Sequence, residues 1–326
     1  MLNPYCIPME RNFVFQAAKH LLLRLLKQPP TSANTLDPSS VGARAQGIAG
    51  FRETVAVCQG AEVCVRTFGD SSAPPVVCWH GFARTGTDFC TLATALSNSF
   101  YVICPDTPGR GSSEWLSPSE YTFSRYQGIA SDLIQQFAGR RRVQWIGTSM
   151  GGALGMMLAA SPQTRHLIDR LVLNDIGPEV PQDALNRIQD YTSEPQAFEN
   201  YRSAKRYFET IYAPFGELSE DEWDILLLHS LRRNPEGLLT QHYDPRILSQ
   251  FGEPQNPSWA WTMFASITAP MLVIRGMDSD VLTAEIADRM VGSALRVERL
   301  DLPGLGHAPF LNTPDQIKEI QSFISK

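Results

Sequence analysis

The chain has 326 residues, 43% of them hydrophobic and 19% charged, and a net charge of −6. That length buries a large core as one α/β domain or a domain with an insertion, and the composition is that of an ordinary soluble globule. The acidic balance argues against a nucleic-acid-binding surface and fits a small neutral substrate. Six cysteines (Cys6, Cys58, Cys64, Cys78, Cys90 and Cys104) show no metal-ligand spacing. They read as reduced, mostly buried thiols of a cytoplasmic protein, a Cys58–Cys64 bridge across a hairpin being the alternative.

Residues 1–46 form an extension. Phe13 to Leu26 is apolar but interrupted by Lys19, His20 and Arg24, too short and too charged for an integral membrane span. It lacks the small-residue cleavage site of a secretory signal. It reads as an amphipathic helix, followed by a linker from Pro29 to Ser40.

Residues 47–177 read as the first part of an α/β core. Thr54–Val57 and Glu62–Arg66 alternate around Gln59-Gly60, the pattern of an antiparallel hairpin. Pro75–Trp79 is a continuous apolar run, as for a strand buried on both faces. A helix through Phe89 to Leu96 and a strand Phe100–Cys104 come next. A helix over about 124–138, a strand ending in Gly147 and a small-residue helix to Ala160 follow, then the strand Leu171–Asp175. Repeated βα units predict a mostly parallel sheet with helices on both faces.

Between residues 178 and 262 the alternation stops. This stretch carries 14 acidic and 7 basic residues with helical spacing and no clear strand, and reads as an inserted helical cap. Residues 263–326 resume the core with the strand Pro270–Arg275, a helix over about 283–290, the strand Val297–Leu300 and a helix from Pro314 to Ile324.

The chemistry centres on Gly147-Thr148-Ser149-Met150-Gly151, a strand–turn–helix context in which Ser149 would sit on a strained turn. A serine hydroxyl needs a base, and the base needs a carboxylate to fix its tautomer. Of six histidines, His307 lies in a Gly-rich loop after the last strand, where such a sheet gathers its site. The acid is expected at Asp280, which sits close to the helix start at Thr283; Asp278 and Asp175 are the other candidates. The amides of Met150 and Phe82 would hold an oxyanion, with His80 bracing the Phe82 loop. Arg84 is a candidate for a substrate carboxylate. Trp261 and Phe310, with Trp259, Phe264 and Tyr212, are candidates for an apolar pocket.

Four segments together carry a resemblance: His80-Gly81-Phe82, Pro105-Asp106…Gly109-Arg110-Gly111-Ser112, Gly147–Gly152 and Gly304-Leu305-Gly306-His307. In this order they resemble the capped, esterase-like serine hydrolases of the α/β-hydrolase fold, over roughly residues 51–326. The resemblance implies hydrolysis of a carboxylic ester or lactone by Ser149, His307 and Asp280, without a metal or organic cofactor. Carbon–carbon or amide bond hydrolysis by the same groups is the alternative. A non-catalytic ligand receptor on the same fold is the alternative of a different class.

Overall fold

A computed structural model describes residues 50–252 and 257–326. The amphipathic helix and linker expected in residues 1–46 lie outside the described residues. The central sheet has eight strands in the order Arg52–Cys58, Ala61–Phe68, Tyr101–Pro105, Pro75–Trp79, Val143–Thr148, Ile168–Asn174, Met271–Gly276 and Val297–Leu302. β1 (Arg52–Cys58) and β2 (Ala61–Phe68) form the expected hairpin. Its two-residue turn works because Gln59 and Gly60 both adopt positive φ, 51° and 79°. The register sets Cys58 opposite Ala61 and Cys64 opposite Val55, and both are free, buried thiols. Burial pushes Cys58 up to about 11 and Cys64 up to about 12, so both stay protonated near neutrality.

β2 runs antiparallel to β4 (Tyr101–Pro105), and every pair from β4 onward is parallel: β3 (Pro75–Trp79), β5 (Val143–Thr148), β6 (Ile168–Asn174), β10 (Met271–Gly276) and β11 (Val297–Leu302). β3, β4 and β10 are buried at every residue, which explains their apolar runs, interrupted in β10 by Arg275, whose guanidinium donates to the Leu282 and Met277 carbonyls. The flanking helices are α1 (Cys90–Leu96), α2 (Phe123–Ala138), α3 (Met150–Ala160), α8 (Ala284–Ser293) and α9 (Pro314–Ile324). α3 lies close on the sheet because it is made of small residues. A Cβ on Gly155 would fall 2.4 Å from Nε1 of Trp145, which stacks on Trp79 with centroids 5.4 Å apart.

Between β6 and β10 the chain forms α4 (Gln182–Ser193), α5 (Tyr201–Tyr212), α6 (Glu220–Ser230) and α7 (Pro257–Ala265). It is not wholly helical, which corrects the sequence expectation. β7 (Ala197–Phe198), β8 (Leu231–Arg233) and β9 (Leu239–Gln241) make an antiparallel sheet in the order β7-β9-β8. Strands of two or three residues are too short to show an alternating pattern. Phe198, Tyr207, Phe208, Tyr212, Trp223 and Leu227 give this insertion its own apolar cluster.

One buried ion pair ties the hairpin to the loop after β4. Arg66 Nη1 donates to Asp106 Oδ1 at 2.8 Å, with both side chains almost fully buried. Asp106 also accepts from the Gly86 and Ser112 amides at 2.8 and 3.0 Å. Burial alone would raise the Asp106 pKa, but Arg66 and these amides outweigh it and hold the carboxyl below its ordinary range. Its contribution to stability is therefore complete above the unfolded pKa of about 3.9 and is lost as pH falls further. Arg66→Met leaves the buried Asp106 without its cation and should destabilise by about 3–5 kcal/mol in urea unfolding. Adding Asp106→Asn to that variant should recover part of the loss.

Candidate active site

β5 ends at Thr148, and Ser149 takes φ 51° and ψ −115° before α3 begins at Met150. This left-handed geometry costs a non-glycine residue about 1–3 kcal/mol. The neighbouring glycines are required by space. A Cβ on Gly147 would fall 2.3 Å from the Gly151 carbonyl oxygen, and one on Gly151 would fall 2.1 Å from that of Trp79. The turn is held from the adjacent strand, where the Asn174 carbonyl accepts from the Ser149 amide at 2.9 Å.

The residue after Asn174 carries the carboxylate that meets the histidine. His307 Nδ1 lies 2.8 Å from Asp175 Oδ2. Asp175 is fully buried and also accepts from the Gly276 amide at 2.9 Å and the Ser279 hydroxyl at 2.5 Å. A carboxylate only accepts, so Nδ1 carries a proton and donates to Asp175. The Asn174 side chain spans the two halves of the site, donating through Nδ2 to Thr148 Oγ1 at 3.0 Å and to the Pro309 carbonyl at 2.8 Å. Ser149 and His307 are thereby brought to the same end of the sheet.

The structure does not bring Asp280 to this histidine, which corrects the expectation. Its carboxylate is half exposed and accepts from Arg187 Nε and Nη2 of α4, both at 2.7 Å. The physical reason lies one residue earlier. Ser279 turns inward to Asp175 and caps the Val281 and Leu282 amides at 3.1 and 3.2 Å, which leaves Asp280 on the outer side of the turn. Asp278 also faces outward, its amide bonded to the Leu305 carbonyl. Asp175 was legible as a strand-end aspartate, but its proximity to a loop 132 residues away is a property of the β6–β10–β11 order.

Opposite the histidine, the loop after β3 approaches the serine. A Cβ on Gly81 would fall 3.7 Å from Ser149 Cβ. Among the described residues, neither the Phe82 amide nor the Met150 amide donates to another protein group, although both residues are buried. His80 braces this loop as expected. Its Nε2 accepts from the Thr107 amide at 2.8 Å, so Nδ1 carries the proton and donates to the Gly81 carbonyl at 2.7 Å. Arg110, fully buried, donates through Nε to the Phe82 carbonyl at 2.7 Å and through Nη1 to Tyr126 Oη at 2.7 Å.

Arg84 is not a free cation. Asp88 takes its Nε at 2.8 Å and its Nη2, and Nη1 donates to Tyr212 Oη of α5 at 2.7 Å. Its charge is therefore neutralised, which removes the reason for expecting a substrate carboxylate there. Trp261 packs in the main core with Nε1 on Glu179 and Arg289 over its ring, and Trp259 is largely exposed. Phe310 does join the site region: it meets Tyr212 edge-on at 6.2 Å and Phe215 at 5.7 Å. The insertion rests on the histidine loop through Gly306 N to the Pro214 carbonyl at 2.6 Å and Phe310 N to the Phe215 carbonyl at 3.1 Å. Among the described residues, no group of three or more His, Cys, Asp or Glu is arranged to hold a metal ion, and no helix is long and apolar enough to cross a membrane.

Burial lowers the His80 pKa to about 4, so the imidazole is neutral at pH 7. The unfolded chain would protonate this residue near pH 6.5, the folded protein only near 4. Its contribution is complete above pH 6.5 and is lost as pH falls towards 4. The melting temperature should therefore fall over that range, and His80→Gln should flatten the slope.

The model of the alpha/beta hydrolase family matches residues 76–320. The 3-hydroxybutyrate-oligomer hydrolase of Cupriavidus necator is 35% identical over 289 residues, covering 85% of this chain and 97% of that protein. A probable serine hydrolase of Drosophila melanogaster is 26% identical over 275 residues, covering 77% and 80%. Among solved structures, an alpha/beta hydrolase from Novosphingobium aromaticivorans is 32% identical with a TM-score of 0.74, covering 85% of this chain and 99% of that one. A hydrolase from Rickettsia typhi, described as putative in its own structure, is 28% identical with a TM-score of 0.76, covering 84% and 98%. With its eight-stranded, mostly parallel sheet and a match across most of its length, this chain belongs to the alpha/beta hydrolase family.

Proposed function

We propose that the protein hydrolyses carboxylic esters through an acyl-enzyme on Ser149, with His307 as general base and acid and Asp175 as the residue that orients it. The observation that carries this reading is the 2.8 Å contact between His307 Nδ1 and the buried Asp175 carboxylate, at the sheet end that also bears the strained Ser149 turn. His307 Nε2 takes the Ser149 proton as Oγ attacks the ester carbonyl. The Phe82 and Met150 amides receive the oxyanion, and the released alkoxide takes the proton from His307 as the carbon–oxygen bond breaks. Water, deprotonated by the same nitrogen, adds to the acyl carbon; the Ser149 oxygen leaves and recovers the proton.

The surroundings favour a neutral substrate. Asp88 cancels the charge of Arg84, and Tyr212, Phe215 and Phe310 offer aromatic surface beside the histidine loop. Residues 178–262 would then act as a cap whose Pro214–Phe215 segment roofs the site. The similarity to a 3-hydroxybutyrate-oligomer hydrolase extends over nearly all of that protein, and supports short oligoesters of a hydroxy acid as the substrate class.

Ser149→Ala should abolish turnover of p-nitrophenyl butyrate and of a 3-hydroxybutyrate trimer while leaving the melting curve intact. Retained turnover would overturn the serine mechanism, and cleavage of the aryl ester alone would move the substrate to another ester class. Asp175→Asn should lower kcat by about 10⁴-fold, the loss expected when the histidine tautomer is no longer enforced. Asp280→Asn should leave kcat within about threefold of the parent, since it removes only an exposed ion pair.

A further inference from the structure

We infer that Arg110 is a positioning residue for the oxyanion pocket, acting through the two residues whose amides line it. The inference rests on the serine-hydrolase reading above and deepens it. Arg110 lies in the loop after β4, and its side chain is fully buried. A buried guanidinium ordinarily has a carboxylate beside it. Arg66 has Asp106 and Glu53, whereas Arg275 is held by the Leu282 and Met277 carbonyls that it caps beyond β10. Arg110 has none: among the described residues, no Asp or Glu comes within ion-pair distance of it, and all its partners are neutral.

Those partners converge on the pocket. Nε donates to the Phe82 carbonyl at 2.7 Å, and the Phe82 ring lies against the guanidinium with its centroid at 5.1 Å. Nη2 reaches Met150 Sδ at 3.6 Å and Gln250 Oε1 at 3.4 Å, both long contacts. Nη1 is anchored firmly, on the Pro108 carbonyl at 2.9 Å and Tyr126 Oη at 2.7 Å. One planar group thus grips Phe82 by its carbonyl and its ring while touching the Met150 side chain. Its charge is fully buried against the two residues whose amides would receive the oxyanion. A cation so placed gains most of its interaction when the substrate oxygen becomes an oxyanion, because water does not screen it.

The backbone of this loop also joins the two parts of the fold. Arg110 bridges Tyr243 of the insertion, the Gly111 amide donates to the His242 carbonyl at 2.9 Å, and the Asp244 amide donates to that of Gly109 at 2.8 Å. The loop that carries it is therefore fixed from both sides, as a positioning group requires.

The test compares Arg110→Met, Arg110→Gln and Arg110→Lys in steady-state ester hydrolysis, with melting temperature measured alongside. For Arg110→Met and Arg110→Gln, kcat should fall about 10- to 100-fold with KM within about threefold, the mark of an interaction made in the transition state. Arg110→Lys keeps the charge without the fork and should fall between these variants and the parent. Affinity for a trifluoromethyl ketone, which forms a tetrahedral oxyanion adduct on the serine, should weaken in proportion to kcat/KM. Affinity of the Ser149→Ala background for the uncleaved ester should not change when Arg110→Gln is added. A parental kcat in a folded Arg110→Gln variant, or a loss carried wholly by KM, would overturn the inference. If neither neutral variant folds, Arg110→Lys decides: ketone affinity that stays parental while kcat falls overturns it, and a matched loss of both supports it. Turnover surviving Ser149→Ala would instead bring down the underlying reading, so the two failures are distinguishable.

Discussion

The geometry of the candidate site depends on one buried carboxylate. Asp175 receives the Gly276 amide at the end of β10, the Ser279 hydroxyl from the following turn and the His307 imidazole from the loop after β11. Its own amide donates to the Ile274 carbonyl. Three segments distant in sequence are thereby locked to the end of β6. A fully buried carboxylate is tolerable only when its lone pairs are filled, and here each contact that fills them also places a part of the site. Replacing the Ser279 hydroxyl or the Gly276 approach would loosen the histidine without touching it. The same economy is visible at Asn174, which ties the serine turn to the histidine loop through one amide group.

The insertion is fastened to this framework by Ile188, Tyr243, Ile247, Trp261 and Phe264, which join the main core, and by polar links at separate points. Arg187 clasps Asp280 beyond β10, Tyr212 accepts from Arg84 beyond β3, and Tyr121 Oη of the core donates to Asp244 Oδ2 at 2.6 Å. The first of these is solvent-exposed and by itself worth little, about 0–1 kcal/mol. The last two are more sheltered and lie against aromatic rings.

Much of the core was legible in the sequence because its signals are local. The hairpin at Gln59-Gly60, the apolar run Pro75–Trp79 and the final helix from Pro314 to Ile324 each declare themselves through their own residues. The serine turn was legible for the same reason: the Gly147 and Gly151 it needs are adjacent in the chain. The carboxylate choice was not. Asp280 and Asp175 both follow strands, and which one meets His307 depends on whether Ser279 or its neighbour turns inward, a matter of side-chain hydrogen bonding across three strands. Arg84 failed as an anion site for a similar reason, since its neutralisation by Asp88 becomes evident only once the short helical turn Gly86–Phe89 sets the two side by side. The strands of the insertion escaped because two- and three-residue strands carry no period.

Ser149 and Asp175 share a feature that separates placement from selection. Both are non-glycine residues with positive φ, 51° and 58°, and each directly follows a strand end, on the adjacent strands β5 and β6. Such strain persists only where the surroundings leave no alternative. Here the pairing of Thr148 with Asn174 supplies that constraint, continued by the Ser149 amide on the Asn174 carbonyl and the Asp175 amide on that of Ile274. The two side chains are therefore projected from the same end of the sheet by adjacent interior parallel strands. On the proposed mechanism, reaction type would be a property of the sheet, and choice of substrate a property of the aromatic residues that the insertion places beside the histidine loop.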